Sequence, residues 1–102
     1  MSSATFSLKH YRNIKTDLHV HSKASDGAYT PGELVKLAFE RNIKILSLTD
    51  HDTIHGLQEA SETAKEYGVA FIPGIEFSTV YYDREVHILG YYLDHNNRSL
   101  LL

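Results

Sequence analysis

The chain has 102 residues, and its 42 % hydrophobic and 23 % charged content is that of one small globular domain with a thin core. The formal net charge of −3 argues against a broad nucleic-acid-binding surface, and the lack of cysteine excludes disulfides and thiolate metal sites and fits a reducing cytoplasm. No apolar run reaches the ~18–20 residues that cross a bilayer and no signal peptide is evident, so a cytoplasmic protein without membrane contact is expected.

The first predicted elements are a strand at residues 14–20 and a helix, separated by a loop at 22–29 that is rich in Ser, Gly and Lys. Thr30 is a suitable N-cap for the helix, Pro follows it at the first helical position, and Glu33 completes a capping box. Apolar residues at helical spacing come next, and the helix is predicted to end near Asn42, which tolerates the left-handed conformation.

Beyond the first helix the sequence alternates strand and helix and then continues in strands. A second helix is predicted at residues 54–67 and ends at Gly68, and another helix is predicted to begin at 99–102. The apolar runs between them are predicted strands, which lie at 43–49, 69–72, 75–82 and 85–92. The last two strands are joined by a tight turn at residues 83 and 84. This order implies parallel strands with right-handed crossovers, whose functional residues gather at the carboxyl ends of the strands.

Two histidines lie at the carboxyl end of the first predicted strand, one within it and one just beyond it. Because residues two apart point to the same face of a strand, His19 and His21 are placed to bind one metal ion or two adjacent ions. Two exposed polar residues would have the same spacing. Asp26 lies in the loop just after this pair, where a turn role before Gly27 is the alternative interpretation. Other histidines lack such a context and are interpreted as surface residues: His10, His55 and His95.

Further candidate ligands follow or interrupt the later strands. His51 has no evident capping or packing role after the second strand, which favours a ligand role. Asp50 is interpreted either as a ligand or as a group that orients a ligand histidine, and Asp52 as a cap of the next helix. Glu76 has apolar neighbours, so a buried carboxylate there needs a cation or hydrogen bonds. His87 interrupts an apolar strand, where a satisfied core histidine is the alternative to a ligand.

The candidate ligands offer imidazole and carboxylate groups without sulfur, which suits Zn²⁺, Mn²⁺ or Fe²⁺. Six candidates exceed the four ligands of one structural zinc ion, so two or more ions are expected. Two divalent cations ~3.5–4 Å apart are suited to phosphate-ester hydrolysis, because they bind phosphoryl oxygens and lower the pKa of a bridging water. The sequence has no P-loop, no Gly-x-Gly-x-x-Gly and no Gly-x-Ser-x-Gly motif, so nucleotide-cradling and serine-hydrolase functions have no support.

Several of these motifs resemble the PHP (polymerase and histidinol phosphatase) family. They include Asp-Leu-His-Val-His-Ser at 17–22, Leu-Thr-Asp-His-Asp-Thr at 48–53 and Val-His-Ile-Leu-Gly at 86–90. The resemblance implies an α/β fold that is the first part of a distorted (β/α)₇ barrel, at 14–102 after a lead-in at 1–13. It also implies two or three divalent ions (Mn, Zn or Fe), with Asp50 as an additional candidate ligand. A metal-bound hydroxide would be the catalytic group, held by His19, His21, Asp26, His51, Glu76 and His87.

Two other motifs, Ala-Ser-Asp-Gly at 24–27 and Pro-Gly-Ile-Glu-Phe-Ser at 73–78, are most similar to stand-alone family members that act on small nucleotides. The resemblance therefore implies a metal-dependent phosphoesterase that hydrolyses a small phosphorylated substrate, either a 3′,5′-nucleoside bisphosphate or a short oligonucleotide. Histidinol-phosphate hydrolysis and DNA-end processing are the alternatives within the family, and a non-catalytic metal-binding module is the alternative outside it.

The resemblance implies that complete family members are more than twice as long, so this chain is expected to be a fragment of a longer protein, with a naturally truncated domain as the alternative. Phosphoesterase activity is expected to require the later segment. Without the later strands, an open sheet edge and partly uncovered apolar residues are expected to cause self-association. The residues expected to be uncovered are Leu46, Leu48 and Ile75.

Overall fold

The structure is a computed structural model, and it describes residues 14–92. Within this range the chain forms four strands and two helices: β1 (Lys15–Val20), α1 (Pro31–Glu40), β2 (Ile43–Leu48), α2 (Leu57–Tyr67), β3 (Ala70–Tyr81) and β4 (Arg84–Tyr91). Neither helix of this part of the chain has the length and apolar character needed to cross a membrane. The predictions for 1–13, 99–102, His10 and His95 lie outside the described residues.

The four strands form one sheet in the order β1-β2-β3-β4. β1 pairs with β2 and β2 with β3 in parallel, as the alternation of strands and helices predicted, and β3 and β4 form an antiparallel hairpin. The sheet is strongly curled, which places the Tyr91 hydroxyl on β4 where it donates a 2.7 Å hydrogen bond to the Leu18 carbonyl on β1 at the opposite edge. The predicted α/β half-barrel is therefore confirmed.

Helix α1 begins and ends as the sequence predicts. The Thr30 hydroxyl accepts from the Glu33 backbone N–H at 3.2 Å, and the Thr30 N–H donates to the Glu33 carboxylate at 2.9 Å. The Thr30 N–H bond lowers the pKa of Glu33 below its usual value. At the other end Asn42 takes a φ of 61°, so the chain leaves the helix through a left-handed residue.

Both helices pack on one face of the sheet and bury its apolar side chains. Leu46, Leu48 and Ile75 are only 3 %, 2 % and 4 % exposed, so the prediction that they are partly uncovered is wrong. The reason is that apolar residues of the helices cover them within one continuous core, which includes Val35, Ala38, Leu57, Ala60 and Ala64. The large apolar side chains that are most exposed instead belong to the hairpin and the end of β4, and include Val80, Tyr81, Tyr82 and Tyr92.

Strand β3 is continuous where the sequence suggested two strands, at 69–72 and 75–82. Pro73 is the last residue of β3 to pair with β2, and Gly74 is the first to pair with β4. The proline, which has no N–H to donate, therefore lies where the pairing passes from one neighbour to the other. The hairpin turn falls at Tyr82 and Asp83, whose φ angles of 50° and 62° are the positive values that two-residue hairpin loops favour.

Helix α2 begins at Leu57, three residues later than predicted, and it ends at Gly68 with a φ of 72° as expected. Its N-cap is Gly56, which provides no side-chain hydrogen bond. The prediction that Asp52 caps this helix is therefore wrong. The Asp52 carboxylate instead accepts a 2.8 Å hydrogen bond from the backbone N–H of Ser78, because segment 50–52 continues beside β3 before the helix starts.

Candidate metal centre

The backbone brings His51 beside Glu76 by extending the pairing of β2 and β3 beyond the end of β2. The Glu76 N–H donates to the Asp50 carbonyl at 3.0 Å, and the Asp52 N–H donates to the Glu76 carbonyl at 2.9 Å. These two bonds form a parallel bridge between His51 and Glu76. A residue that follows β2 and a residue in the middle of β3 thereby reach the same place on the curled sheet.

Glu76 lies at the centre of the candidate site and is 4 % exposed. Its Oε1 atom lies 2.7 Å from Nε2 of His19 and 2.7 Å from Nε2 of His21, and its Oε2 atom lies 2.7 Å from Nδ1 of His87. Burial raises the pKa of Glu76, but the hydrogen bonds from these three histidines outweigh it and hold the pKa at about 2. The carboxylate is therefore ionised at neutral pH, as ligation of a metal ion requires.

Asp26 joins the other side of the site from the loop after β1. Its Oδ1 atom lies 2.8 Å from Nδ1 of His21, and its Oδ2 atom lies 3.2 Å from Nε2 of His51. The rings of His21 and His51 are neighbours, with centroids 4.3 Å apart. The turn role that was the alternative for Asp26 does not exclude these contacts, since the loop directs the carboxylate toward both histidines.

Among the described residues, three groups of side chains place ligand atoms within 4.8 Å of one another. The groups share three members, because His21, His51 and Glu76 each belong to two of them. The donors are imidazole nitrogens and carboxylate oxygens without sulfur, which fits the borderline divalent metals. All six ligand candidates named from the sequence lie in these groups: His19, His21, Asp26, His51, Glu76 and His87. Their role as ligands stays a prediction.

Asp50 does not join these groups, although the sequence made it an additional candidate. It is 2 % exposed, and its carboxylate accepts hydrogen bonds from Ser22 and Ser25 at Oδ1 and from Ser22 at Oδ2. The carboxylate therefore contacts the loop that follows β1, and no hydrogen bond from it to a histidine is found in the described part of the chain. His55 is exposed, as its interpretation as a surface residue predicted.

Glu85 is a residue of the site that sequence reasoning did not name. Its carboxylate lies 2.7 Å from Nε2 of His87, whose other ring nitrogen faces Glu76. The hydrogen bond to Glu85 and then the one to Glu76 raise the pKa of His87 above its usual value. The signal was available in the sequence, because Glu85 and His87 are two residues apart on one strand and so share a face, like His19 and His21.

The motifs and the geometry agree with a comparison against known families, in which the PHP domain matches residues 17–101. The chain belongs to the PHP domain family. The resemblance found in the sequence motifs is thus confirmed, and the matched span contains all six candidate ligands.

Similar proteins are longer than this chain. A 5′-3′ exoribonuclease of Haemophilus influenzae is 49 % identical over 80 residues, which are 78 % of this chain and 29 % of that protein. A 3′,5′-nucleoside bisphosphate phosphatase of Chromobacterium violaceum is 45 % identical over 78 residues, or 76 % of this chain and 27 % of that protein. A crystal structure from Bifidobacterium adolescentis, described as a metal-dependent phosphoesterase, aligns with a TM-score of 0.79 and 34 % identity over 86 % of this chain and 31 % of its own. The chain thus spans under a third of each of these relatives.

Proposed function

We propose that this chain is the metal-binding part of a metal-dependent phosphoesterase that hydrolyses small phosphate esters of the nucleotide type. The observation that carries the proposal is the set of three overlapping ligand groups around Glu76, His21 and His51. Ligands shared between groups suit adjacent cations, and adjacent divalent cations suit phosphate-ester hydrolysis. The relatives named as an exoribonuclease and a nucleoside bisphosphate phosphatase support a nucleotide-like substrate.

Two or three divalent ions, of Mn, Zn or Fe, would be held by His19, His21, Asp26, His51, Glu76 and His87. Ions held there would supply Lewis-acid chemistry, by which phosphoryl oxygens are bound and water is activated. The protein supplies two carboxylates, Glu76 and Asp26, that offset part of the cationic charge. It also supplies imidazoles whose second nitrogen is held by an acid, as Glu85 holds His87 at 2.7 Å. Such acids fix the orientation of a ligand ring.

Positioning of the phosphate group requires cations as well as metal ligands. Lys23 is the basic residue of loop 22–29, beside the histidine pair, whereas Arg84 begins β4 next to the hairpin turn. Metal binding is therefore the property that we expect of this segment directly. Turnover is a property that we expect to need a larger part of the domain, with a 3′,5′-nucleoside bisphosphate or a short oligonucleotide as substrate.

Metal binding is tested first. Chain prepared without chelator is subjected to elemental analysis, and metal-free chain is titrated with Mn²⁺ and Zn²⁺. We expect bound transition metal, a lower content after the double change His19→Ala and His21→Ala, and no change after His55→Ala. His55 is the matched control because it is an exposed histidine outside the three groups. Absence of metal after preparation together with absence of uptake on titration would refute the proposal.

Substrate class is tested second, with the Chromobacterium violaceum phosphatase assayed in parallel as a positive control. The substrates are a 3′,5′-nucleoside bisphosphate, a short 5′-phosphorylated oligoribonucleotide, histidinol phosphate and p-nitrophenyl phosphate, each with Mn²⁺. Faster hydrolysis of the bisphosphate and the oligoribonucleotide, with turnover abolished by Glu76→Ala, supports a nucleotide substrate. Faster hydrolysis of histidinol phosphate would replace the nucleotide by histidinol phosphate as the proposed substrate. Metal binding without turnover, in this chain and in any longer version of it, would favour a non-catalytic metal-binding module.

A further inference from the structure

Asp50 precedes His51 directly, yet its side chain contacts a different part of the molecule. The geometry points to Asp50 as a positioning residue of the metal centre, which holds loop 22–29 so that Asp26 reaches His21 and His51. The inference rests on the proposed function, since it assigns a role within the same centre. It differs from both sequence interpretations, in which Asp50 was a ligand or the partner of a ligand histidine.

Both oxygens of the Asp50 carboxylate accept hydrogen bonds from donors of the loop. Its Oδ1 atom accepts from the Ser22 backbone N–H at 2.6 Å and from the Ser25 hydroxyl at 2.7 Å, and its Oδ2 atom accepts from the Ser22 hydroxyl at 2.6 Å. Asp50 is 2 % exposed and Ser22 is completely buried. A buried carboxylate is tolerated only when it is paired or hydrogen-bonded, and hydrogen bonds to an ionised group are the stronger kind. These three bonds therefore fix the start of the loop.

The rest of the loop is built on Ser22. The Ser22 carbonyl accepts from the N–H of Ser25 at 3.1 Å and from the N–H of Gly27 at 2.7 Å. Gly27 lies so close to the preceding strand that a Cβ atom there would be 2.1 Å from the carbonyl oxygen of His21. Asp26 thus lies between two residues that are both fixed to Ser22, although its own side chain is 60 % exposed.

The backbone of Asp50 has a second connection to the centre. Its carbonyl accepts from the Glu76 N–H at 3.0 Å, while its carboxylate holds the loop that carries Asp26. One residue therefore connects the two segments that supply the carboxylates of the site, and His51 follows it in the chain. A metal site requires its ligands to be held within roughly 0.5 Å of the productive geometry, and a loop ligand depends on its supporting contacts for this.

The test compares Asp50→Ala, Asp50→Asn and Ser25→Ala with the unchanged chain. One readout is the affinity for Zn²⁺ and Mn²⁺ by competition titration, and the other is hydrogen exchange at the Gly27 amide in metal-free protein. We expect Asp50→Ala to weaken metal binding by about 10- to 100-fold, the usual range for residues that support ligands, and to speed exchange. Asp50→Asn should restore most of the affinity, because its amide oxygen still accepts and its NH₂ can donate to the Ser22 hydroxyl.

Glu59→Ala is the matched control. The Glu59 carboxylate also accepts a backbone N–H from another segment, that of Gly32 at 2.7 Å, but it lies outside the ligand groups. We expect this variant to lower the stability of the chain without weakening metal binding. If Asp50→Ala does not fold, Ser25→Ala serves instead, since it removes a single hydrogen bond from a partly buried side chain; it should speed exchange at Gly27 and weaken metal binding by a smaller factor.

Failure of the inference and failure of the proposed function are distinguishable. If the unchanged chain binds no metal, the proposed function fails, and unchanged exchange at Gly27 in the variants would refute the loop-holding role separately. If the unchanged chain binds metal, wild-type affinity in the folded variants overturns the inference. Weaker metal binding with unchanged exchange would also overturn it, because Asp50 would then act on the metal and not through the loop. Equal losses in Asp50→Asn and Asp50→Ala would contradict the hydrogen-bond explanation.

Discussion

Glu76 is the carboxylate whose removal should affect the metal centre most. It belongs to two of the three ligand groups in the described part of the chain and is the only carboxylate in either of them, whereas Asp26 belongs to one group. Removal of Glu76 therefore leaves one group intact, and removal of Asp26 leaves two. We predict that Glu76→Ala lowers both the metal affinity and the number of ions bound, and that it does so more than Asp26→Ala.

The size of the effect follows from the position of Glu76. Residues that only orient a ligand typically cost about 10- to 100-fold in metal affinity when they are changed. Glu76 is itself a candidate ligand, with one oxygen 2.7 Å from His19 and His21 and the other 2.7 Å from His87. We therefore expect a loss of more than about 100-fold, which is about 2.8 kcal/mol at 1.4 kcal/mol per factor of ten.

The assay is calorimetric titration of metal-free chain with Mn²⁺, together with competition for Zn²⁺ against a coloured chelator. Glu76→Gln is included because it keeps the side-chain volume while it removes the charge, and circular dichroism shows whether each variant is folded. Glu66→Ala is the control, since Glu66 is an exposed acid on α2 outside the ligand groups. Wild-type affinity and stoichiometry in folded Glu76→Ala and Glu76→Gln would refute this account of the centre.

The remaining predictions concern the loop and the fold. Gly27→Ala should weaken metal binding in the same titration, because its Cβ would lie 2.1 Å from a backbone oxygen; unchanged affinity would contradict the fixed loop. Thr30→Ala should lower the free energy of unfolding in urea by about 1 kcal/mol, the usual cost of losing an N-cap. The pKa of Glu33 is lowered in the folded chain, so ionised Glu33 stabilises the folded state above pH 4.5. This stabilisation is lost as the pH falls through the folded-state pKa of Glu33. The variant Glu33→Gln should therefore lose less stability than the unchanged chain over the same pH interval. Leu57→Ala should cost about 2–5 kcal/mol in the same unfolding experiment, because Leu57 is 1 % exposed, whereas Val80→Ala at a 71 % exposed position should stay within about 0.5 kcal/mol.

The exposed apolar residues of the hairpin give the expected self-association a different structural basis from the one inferred from sequence. The core residues expected to be uncovered are buried by the two helices. Exposure is concentrated instead at Val80, Tyr81 and Tyr82, which are 71 %, 66 % and 84 % exposed. Self-association of this chain remains a prediction, and sedimentation analysis of the metal-free and metal-loaded chain would test it.

Features that depend on near neighbours in the chain were determined by the sequence itself. The capping box of α1 was predictable because Thr30 and Glu33 are three residues apart and need no distant partner. The shared face of His19 and His21 followed from the two-residue repeat of a strand. The parallel order of β1, β2 and β3 followed from helices between strands, and it placed the candidate ligands toward one end of the sheet.

Only the tertiary structure decided which partner each acid meets. Asp50 and Asp52 flank His51, and the sequence predicted a ligand or ligand-orienting role for Asp50 and a helix cap for Asp52. The first instead accepts from Ser22, 28 residues earlier, and the second from Ser78, 26 residues later. The partner of a carboxylate is set by the segments that pairing and curvature of the sheet bring beside it. Curvature that brings Tyr91 of β4 within 2.7 Å of Leu18 of β1 is a property of the assembled sheet, and no single strand contains the information that specifies it.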